Sequence, residues 1–313
     1  MILTVTLNAA LDTTYDVDEL VPHASNRVTT VRRRAGGKGV NVASVLARMG
    51  HPVIATGCVG GRTGADIRAD LDARGVAHRF VDGAPDSRRT VTVVSAAHSD
   101  ATVLNEPGPE VPARVWASVV AGLAELVREQ RAGVVVLSGS LPRGLPADAY
   151  SRLVATAHAH GARVVVDAEG AALRDAVTAG PEVIKPNRHE LLSATGCSDV
   201  AAAVTALRAL GAVRHDHVAC AEGVQLFPSG GRPLRARLRE PLSGNPTGAG
   251  DAMVAALAVG LEAHDDWTVT VARAVAWSAA AVRQPVAGEI DPDDATYLQA
   301  RVQMEETDDA RKA

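Results

Sequence analysis

Residues 133–138, Gly-Val-Val-Val-Leu-Ser, and residues 162–167, Ala-Arg-Val-Val-Val-Asp, decide the fold of this chain. Each is a short apolar run rich in β-branched residues, a pattern typical of a strand that is buried on both faces. Residues 146–160 between them have the apolar spacing of a helix. Because a helical crossover connects neighbouring parallel strands, the stretch predicts a parallel sheet with helices packed against it.

The same alternation continues outward from this stretch in both directions. We predict further helices over 40–49, 64–74, 114–130, 188–195, 200–210, 249–261 and 267–283. We predict further strands over 2–7, 52–57, 182–185 and 217–220, and an acidic tail without regular structure after residue 283. The pattern predicts one three-layer α/β domain spanning 1–313, with a mainly parallel central sheet between two layers of helices.

Two mixed segments do not fit this alternation. Residues 13–31 and 88–104 combine β-branched and polar residues without helical spacing, and the second predicts a hairpin around His98, Ser99 and Asp100. We expect the two segments to form a small β-sheet lid beside the domain.

The composition limits the classes of partner. The net charge is -4 and aromatic residues make up 3%, which argues against base-stacking nucleic-acid modules and against binding to an anionic membrane. Cys58, Cys197 and Cys220 are far apart in the chain, so we expect free thiols in a reducing cytoplasm rather than disulfides or structural zinc. We therefore expect a cytoplasmic protein that acts on small molecules.

The glycine-rich turn Thr247-Gly248-Ala249-Gly250-Asp251 runs directly into an apolar helical segment. Backbone amides that converge at a helix start bind anions, and glycine lets a ligand approach them closely. A carboxylate beside such a site repels a resting phosphate, but it can take a proton from a hydroxyl that attacks the phosphorus. The alternative is that Asp251 only caps the helix.

A second glycine-rich turn, Gly36-Gly37-Lys38-Gly39, precedes the helix predicted at 40–49. Lys38 offers a positive charge and Asn41 offers both a donor and an acceptor, although a plain helix-capping loop has the same composition. No Ser or Thr follows the lysine, so the turn is not a Walker A loop. Residues 32–34, Arg-Arg-Arg, are either a solvated face or a binding site for a phosphorylated ligand.

Asn187 and Glu190 begin the helix predicted at 188–195. Their spacing is that of a capping box, and Glu190 is alternatively an oxygen ligand, through water, for a nucleotide-bound magnesium ion. Asp12 follows the first strand and could hold sugar hydroxyls or simply close a turn.

Two arginines start a predicted lid strand, and several histidines have no evident role. Arg88 and Arg89 could reach over a phosphate group. The histidines without catalytic or metal-binding spacing are assigned to surface or turn positions: His51, His98, His215 and His217.

Several short segments carry a resemblance to a known family: 4–8, 26–27, 36–43, 105–109, 137–142, 185–187, 190–191, 248–251 and 287–289. In their residues and in their order along the chain, these segments resemble those of the ribokinase-like (PfkB-type) carbohydrate kinases, in the branch of the 1-phosphofructokinases and tagatose-6-phosphate kinases. The resemblance covers essentially the whole chain and implies the ribokinase-like α/β/α fold with a β lid.

The resemblance also implies a mechanism and a set of site residues. Asp251 would be the base, and the amides of Gly248, Ala249 and Gly250 would stabilise the transferred phosphoryl group of ATP. The residues implied for the sugar phosphate are Asp12, Gly37, Lys38, Asn41, Arg27, Arg88 and Ser138. The residues implied for the nucleotide are Lys185, Asn187, Glu190, Gly223 and Asn245, with Glu190 holding Mg²⁺ through water. The resemblance also implies a homodimer that pairs through the lid.

The chain departs from the family pattern at three places. Residues 218–223 keep only Gly223 of an S-x-G-x-x-G pattern, Glu169 adds a carboxylate after Asp167, and Ala9 replaces a proline. The sequence leaves fructose 1-phosphate, fructose 6-phosphate and tagatose 6-phosphate open as substrates. A non-catalytic sugar-phosphate sensor and a kinase of an unphosphorylated sugar or nucleoside remain the alternatives.

Overall fold

The computed structural model describes residues 1–97, 100–211, 215–220, 223–228, 232–240, 242 and 244–306, and strands and helices alternate through these ranges. The strands are β1 (Ile2–Thr6), β2 (Ala10–Val17), β3 (Thr30–Gly36), β4 (Val53–Cys58), β5 (His78–Val81), β6 (Arg88–Ser95), β7 (Asp100–Asn105), β8 (Val134–Ser138), β9 (Arg163–Asp167), β10 (Val183–Ile184), β11 (His215–Cys220), β12 (Gly223–Pro228), β13 (Leu234–Leu238) and β14 (Val302–Glu306). The helices are α1 (Lys38–Arg48), α2 (Gly61–Ala73), α3 (Ala113–Gln130), α4 (Ala149–Ala159), α5 (Gly170–Thr178), α6 (Arg188–Thr195), α7 (Val200–Arg208), α8 (Ala249–Ala263), α9 (Trp267–Val282) and α10 (Pro292–Gln299).

The larger sheet has the strand order β14-β13-β12-β11-β10-β9-β8-β1-β4-β5. From β11 to β5 all neighbours pair in parallel, whereas β12, β13 and β14 extend the sheet by antiparallel pairing. The apolar runs 133–138 and 162–167 form the central strands β8 and β9, and their valines are fully buried. The predicted parallel sheet is confirmed.

Helices cover both faces of this sheet, as predicted. One apolar core lies between the sheet and α1, α2, α8, α9 and α10, and the other lies between the sheet and helices α3 to α7. Helix α8 is buried almost all round because it packs on α1 and α9 as well as on the sheet, which explains its continuous apolar sequence. The protein is therefore a three-layer α/β/α fold.

A smaller sheet, which we call the small sheet, has the strand order β3-β2-β6-β7. Its central pair, β2 and β6, is parallel, and β3 and β7 add antiparallel to its two edges. The strands overlap the segments 13–31 and 88–104 but begin at Ala10, and residues 18–29 carry no strand. His98 and Ser99 of the expected hairpin turn lie outside the described residues.

Several elements differ from the sequence-based prediction. The chain after residue 283 is not a tail without regular structure, because α10 packs on α9 and β14 pairs with β13. Helix α5, strand β5 and the hairpin of β12 and β13 were also not predicted, since their apolar patterns are short. No helix in the described part of the chain is both long and apolar enough to cross a membrane.

Helix α2 begins three residues earlier than predicted because a distant carboxylate caps it. Asp86 accepts hydrogen bonds from the backbone amide of Thr63 at 2.8 Å and from its hydroxyl at 3.0 Å. This satisfies a donor at the helix start from outside the helix. A contact between residues so far apart leaves no signal in the local sequence.

Candidate active site

The candidate residues meet where parallel strands of the larger sheet end. Ser138 and Asp167 are the last residues of β8 and β9, and Lys185 directly follows β10. Lys38 begins α1, and Asp251 lies in the first turn of α8. Ligands bind at this edge in parallel α/β sheets, so the topology brings these side chains to the usual position for a site.

Asp251 lies beside the turn that starts α8. Gly248 has a left-handed backbone with a φ of 87°, and a side chain there would place its Cβ 2.9 Å from Cα of Ala287. The amide of Ala249 donates to the carbonyl of Pro246 at 3.2 Å, whereas the amide of Gly250 has no acceptor among the described residues. The turn therefore offers an unsatisfied donor at the positive end of the helix dipole.

Asn41 contacts the carboxylate of Asp251 directly. Its Nδ2 atom donates a 2.8 Å hydrogen bond to Oδ2 of Asp251, and both residues are buried. Burial raises the pKa of Asp251 to about 7, the charge of Asp167 adds to this, and the bond from Asn41 opposes it. A carboxyl group that titrates near neutral pH is suited to accept a proton from a hydroxyl.

Asp167 lies between two lysines next to this carboxylate. Its Oδ1 atom is 3.2 Å from Nζ of Lys185 and 3.5 Å from Nζ of Lys38, while its Oδ2 atom accepts a 3.3 Å bond from Oγ of Ser138. Burial alone would raise the pKa of Asp167, but Lys185 and Lys38 outweigh burial and lower it. Asp167 is therefore a fixed negative charge that holds both ammonium groups at the strand ends.

The two lysines face the remaining parts of the site. A side chain at Gly250 would place its Cβ 3.6 Å from Nζ of Lys185, so this ammonium group lies beside the helix start. Lys38 also lies 3.6 Å from Oε1 of Glu190. Burial alone lowers the pKa of Lys38, but the carboxylates of Asp167 and Glu190 outweigh burial and raise it, so Lys38 stays positively charged.

Asp12 belongs to the small sheet and packs against a glycine. A Cβ at Gly36 would lie 1.9 Å from Oδ2 of Asp12, so a larger residue there would displace the carboxylate. Burial raises the pKa of Asp12 to about 6, while a hydrogen bond with the Thr90 side chain and the charge of Arg88 lower it. A half-buried carboxylate without a full set of donors is suited to accept hydrogen bonds from hydroxyl groups.

Arg88 and Arg89 of the small sheet point to different partners. Arg88 donates from Nε to the carbonyl of Asn8 and from Nη1 to the carbonyl of Glu106, both at 3.1 Å, and stays near Asp12. Arg89 instead donates to Oγ1 of Thr63 at 3.2 Å, on the side of α2. Arg27 lies in the exposed segment between β2 and β3 and makes no hydrogen bond or ion pair with the described residues.

Asn187 and Glu190 form the capping box that their spacing predicts. Oδ1 of Asn187 accepts from the amide of Glu190 at 2.8 Å, and Oε2 of Glu190 accepts from the amide of Asn187 at 2.7 Å. Oε1 of Glu190 is not used by the cap and faces Lys38. Among the described residues no group of three or more His, Cys, Asp or Glu lies together as a metal site.

Two expected nucleotide residues have structural contacts of their own. Gly223 starts β12 with a φ of 132°, and a Cβ there would lie 2.2 Å from the carbonyl of Ala236. Asn245 accepts from the amide of Thr247 at 3.0 Å and donates to the carbonyl of Pro285 at 3.1 Å, which shapes the turn before Gly248. Ala221 and Glu222 of the altered 218–223 segment lie outside the described residues.

Two contacts in the site are not predicted from the sequence, namely the pairing of Asp167 with two lysines and the packing of Gly36 against Asp12. Asp167 ends an apolar strand, and this position is a signal that the sequence carries. The stacking of Gly36 against Asp12 depends on the register of β3 against β2, in which Ala10 pairs with Gly36, and this register is not visible from the sequence. Gly37, with a φ of 99°, lies at the N-cap of α1 against the first strand.

Comparisons with known proteins identify the family of this chain. The profile of the pfkB family carbohydrate kinases matches residues 5–294. A 1-phosphofructokinase from Xanthomonas campestris is 42% identical over 268 residues, covering 83% of this chain and 83% of that protein. A 1-phosphofructokinase from Rhodobacter capsulatus is 38% identical over 298 residues, covering 93% of this chain and 92% of that protein.

The fold is also similar to that of a solved phosphofructokinase. The structure of phosphofructokinase-2 from Escherichia coli in complex with potassium superimposes with a TM-score of 0.89 at 27% identity, covering 96% of this chain and 98% of that chain. The chain therefore belongs to the pfkB family of carbohydrate kinases, and it is a phosphotransferase.

Proposed function

We propose that this chain transfers the γ-phosphoryl group of ATP to the free primary hydroxyl of fructose 1-phosphate. The observation that carries the proposal is the buried Asp251 at the start of α8, with a pKa raised to about 7 by burial. The hydroxyl oxygen forms a bond to the γ-phosphorus, and the bond to the bridging oxygen of ADP breaks. Asp251 takes the hydroxyl proton, so the products are a ketohexose bisphosphate and ADP.

The developing charge on the transferred phosphoryl group falls beside the helix start. The amide of Gly250 and the ammonium group of Lys185 are the donors there, and Gly248 and Ala249 shape the turn. Fixed donors of this kind stabilise a transition state without reorganising during the reaction. Asn41 keeps one carboxylate oxygen of Asp251 bound, which leaves the other free for the substrate hydroxyl.

The sugar phosphate is held between the small sheet and α1. Asp12, Gly37, Asn41 and Ser138 are proposed to bind its hydroxyl groups, and Arg88 and Lys38 its phosphate. Arg27, in the exposed segment between β2 and β3, is also proposed to bind this phosphate. We propose that the small sheet acts as a lid over the bound sugar, within a single domain of 1–313, and that two lids pair in a homodimer.

The nucleotide is proposed to lie along the edge formed by Lys185, Asn187, Glu190, Gly223 and Asn245. The donor set fits a magnesium ion that is held mainly by nucleotide phosphates and water, because Oε1 of Glu190 is the carboxylate oxygen that the capping box leaves available. Bound magnesium would neutralise phosphate charge there.

We also propose that the protein acts in the cytoplasm.

We propose fructose 1-phosphate as the substrate, rather than fructose 6-phosphate or tagatose 6-phosphate, because the relatives reported from Xanthomonas campestris and Rhodobacter capsulatus are 1-phosphofructokinases. The test is an ADP-release assay with magnesium-ATP against these three phosphates, fructose and ribose. We expect the highest kcat/KM with fructose 1-phosphate. Turnover of a free sugar alone would overturn the phosphate-binding roles of Lys38 and Arg88. Absence of turnover on all five, with sugar phosphate bound, would favour a non-catalytic sensor.

A further inference from the structure

A cavity of about 540 Å³ lies beside the end of α1. It is lined by Arg34 of β3, the last turn of α1, residues 74–76 after α2, and the segment 284–290 that precedes α10. Its volume is in the range of small-molecule sites. The proposed reaction uses none of its lining side chains.

The lining is unusually rich in arginine. Arg34, Arg48 and Arg74 line the cavity, and Glu289 is the acidic residue among the lining residues. Arg34, the last residue of the basic run 32–34, enters this cavity, whereas Arg32 pairs with Asp16 on the small sheet. The convergence of guanidinium groups is typical of phosphate recognition.

These arginines are not all neutralised. Arg34 pairs with Glu289, and Nη2 of Arg74 lies 2.7 Å from Oδ2 of Asp70. Arg48 is exposed at the end of α1 and makes no hydrogen bond or ion pair with the described residues. Arg74 also donates from Nη1 to Oγ of Ser44 at 3.1 Å, and its Nε atom is buried, so the protein holds this guanidinium group in place. The positive charge that the protein leaves unpaired in the cavity is therefore that of Arg48.

The segment that closes the cavity also supports the catalytic residues. A Cβ at Gly288 would lie 3.2 Å from Oδ1 of Asn41, and a Cβ at Gly248 would lie 2.9 Å from Cα of Ala287. Residues 287–289 therefore touch the asparagine that holds Asp251, the turn that starts α8, and Arg34. A ligand that takes the place of Glu289 on Arg34 would disturb both contacts.

We propose that this cavity is a second anion site that binds a phosphate-bearing metabolite through Arg34 and Arg48, with Arg74 adding its positive charge, and thereby slows the reaction at Asp251. The anion competes with Glu289 for Arg34 and releases the segment 287–289 from Asn41. The binding part stands on the cavity alone, and the kinetic part rests on the proposed kinase activity.

Calorimetry with inorganic phosphate tests the binding part, without sugar or nucleotide. We expect a dissociation constant of about 1 mM, which corresponds to the few contacts available. Arg48→Ala should weaken binding about tenfold, the worth of one charged hydrogen bond. Glu289→Gln should strengthen it, and the matched control Arg33→Ala, on the same strand but outside the cavity, should leave it unchanged. A Lys38→Ala variant reports any phosphate bound at the sugar site.

Two results would overturn the binding proposal. One is the absence of phosphate binding to the wild-type protein. The other is binding that is lost in Lys38→Ala and unchanged in Arg48→Ala, because that phosphate occupies the sugar site. These measurements need no turnover, so they keep their meaning even if the proposed reaction with fructose 1-phosphate is not observed.

Steady-state kinetics tests the link to Asp251. Phosphate should lower kcat about fivefold at saturating sugar and nucleotide, the lower end of measured couplings between sites, and Arg48→Ala should remove this effect. Phosphate that only raised the KM for sugar would compete at the sugar site. Phosphate that bound in the cavity but left kcat unchanged would overturn the link.

Discussion

Nδ2 of Asn41 donates a 2.8 Å hydrogen bond to Oδ2 of Asp251, and both side chains are buried. The bond joins α1, which starts in the glycine-rich turn 36–39, to α8, which starts in the glycine-rich turn 247–251. The two turns that stand out in the sequence are therefore parts of one site. The contact also assigns Asn41 a second role beside the sugar hydroxyls, namely positioning the proposed base.

Asn41→Ala separates these two roles. Loss of the donor should raise the pKa of Asp251, because the bond from Asn41 lowers it in the wild-type protein. We expect kcat at pH 7 to fall about tenfold, the worth of a hydrogen bond to a charged group, with a smaller change in the sugar KM. Steady-state kinetics with varied sugar phosphate measures both constants. A large rise in KM with constant kcat would restrict Asn41 to sugar binding.

The pH profile of kcat tests the protonation state of the base. Asp251 must be ionised to accept a proton, and burial raises its pKa to about 7. With saturating substrates, kcat should therefore fall as the pH drops below about 7 and level off above it. Phosphoryl transfer measured between acid and mildly alkaline pH gives the profile. A kcat that stays constant down to pH values near 5 would be incompatible with Asp251 as the titrating base.

Arg88→Ala tests the proposed phosphate site on the small sheet. Arg88 is held near Asp12 by the carbonyls of Asn8 and Glu106. Removing it should raise the KM for the sugar phosphate between about tenfold and a hundredfold, because charged hydrogen bonds are lost. Arg89→Ala is the matched control, since this neighbour turns towards Thr63. Equal effects of the two substitutions would show that Arg88 has no specific contact with the phosphate.

Gly36→Ala tests the role of Asp12 without changing any charge. The new Cβ would lie 1.9 Å from Oδ2 of Asp12, so the carboxylate must move. We expect the sugar KM to rise about tenfold or more, the loss of one charged contact, while the KM for ATP stays constant. Gly122→Ala in α3 is the control, because its nearest neighbour would be 3.9 Å away. A normal sugar KM in Gly36→Ala would remove Asp12 from the sugar site.

The layer architecture could be predicted from the sequence because buried strands leave a strong local signal. The valines of β8 and β9 are continuous in sequence and fully buried. Helix α2 shows where this reasoning stops, since its start depends on Asp86. The strand β14, with two glutamates at its end, pairs only at the edge of the sheet, so its sequence lacks the apolar pattern of a central strand.

The candidate site could likewise be predicted only where the signal is local in the sequence. Residues at strand ends and in glycine-rich turns could be found because topology alone places them at one edge. Lys38 contacts Asp167, and Gly288 packs on Asn41. Both contacts join segments that are far apart in the chain, so no local sequence pattern encodes them. For the same reason the arginine-lined cavity does not follow from the run 32–34.

The measurement that tests the central claim most directly is single-turnover phosphoryl transfer by Asp251→Asn. If Asp251 is the base, the rate should fall about a thousandfold, within the range of general-base catalysis, while fructose 1-phosphate and magnesium-ATP still bind. The folded pKa of Asp251 exceeds its ordinary value of 3.8, so its contribution to stability is lost as the pH rises through about 7. Asn cannot ionise, so the variant should be at least as stable as the wild type at pH 8. A folded variant that retained transfer within about tenfold of the wild type, less than the loss of a base produces, would contradict the assignment.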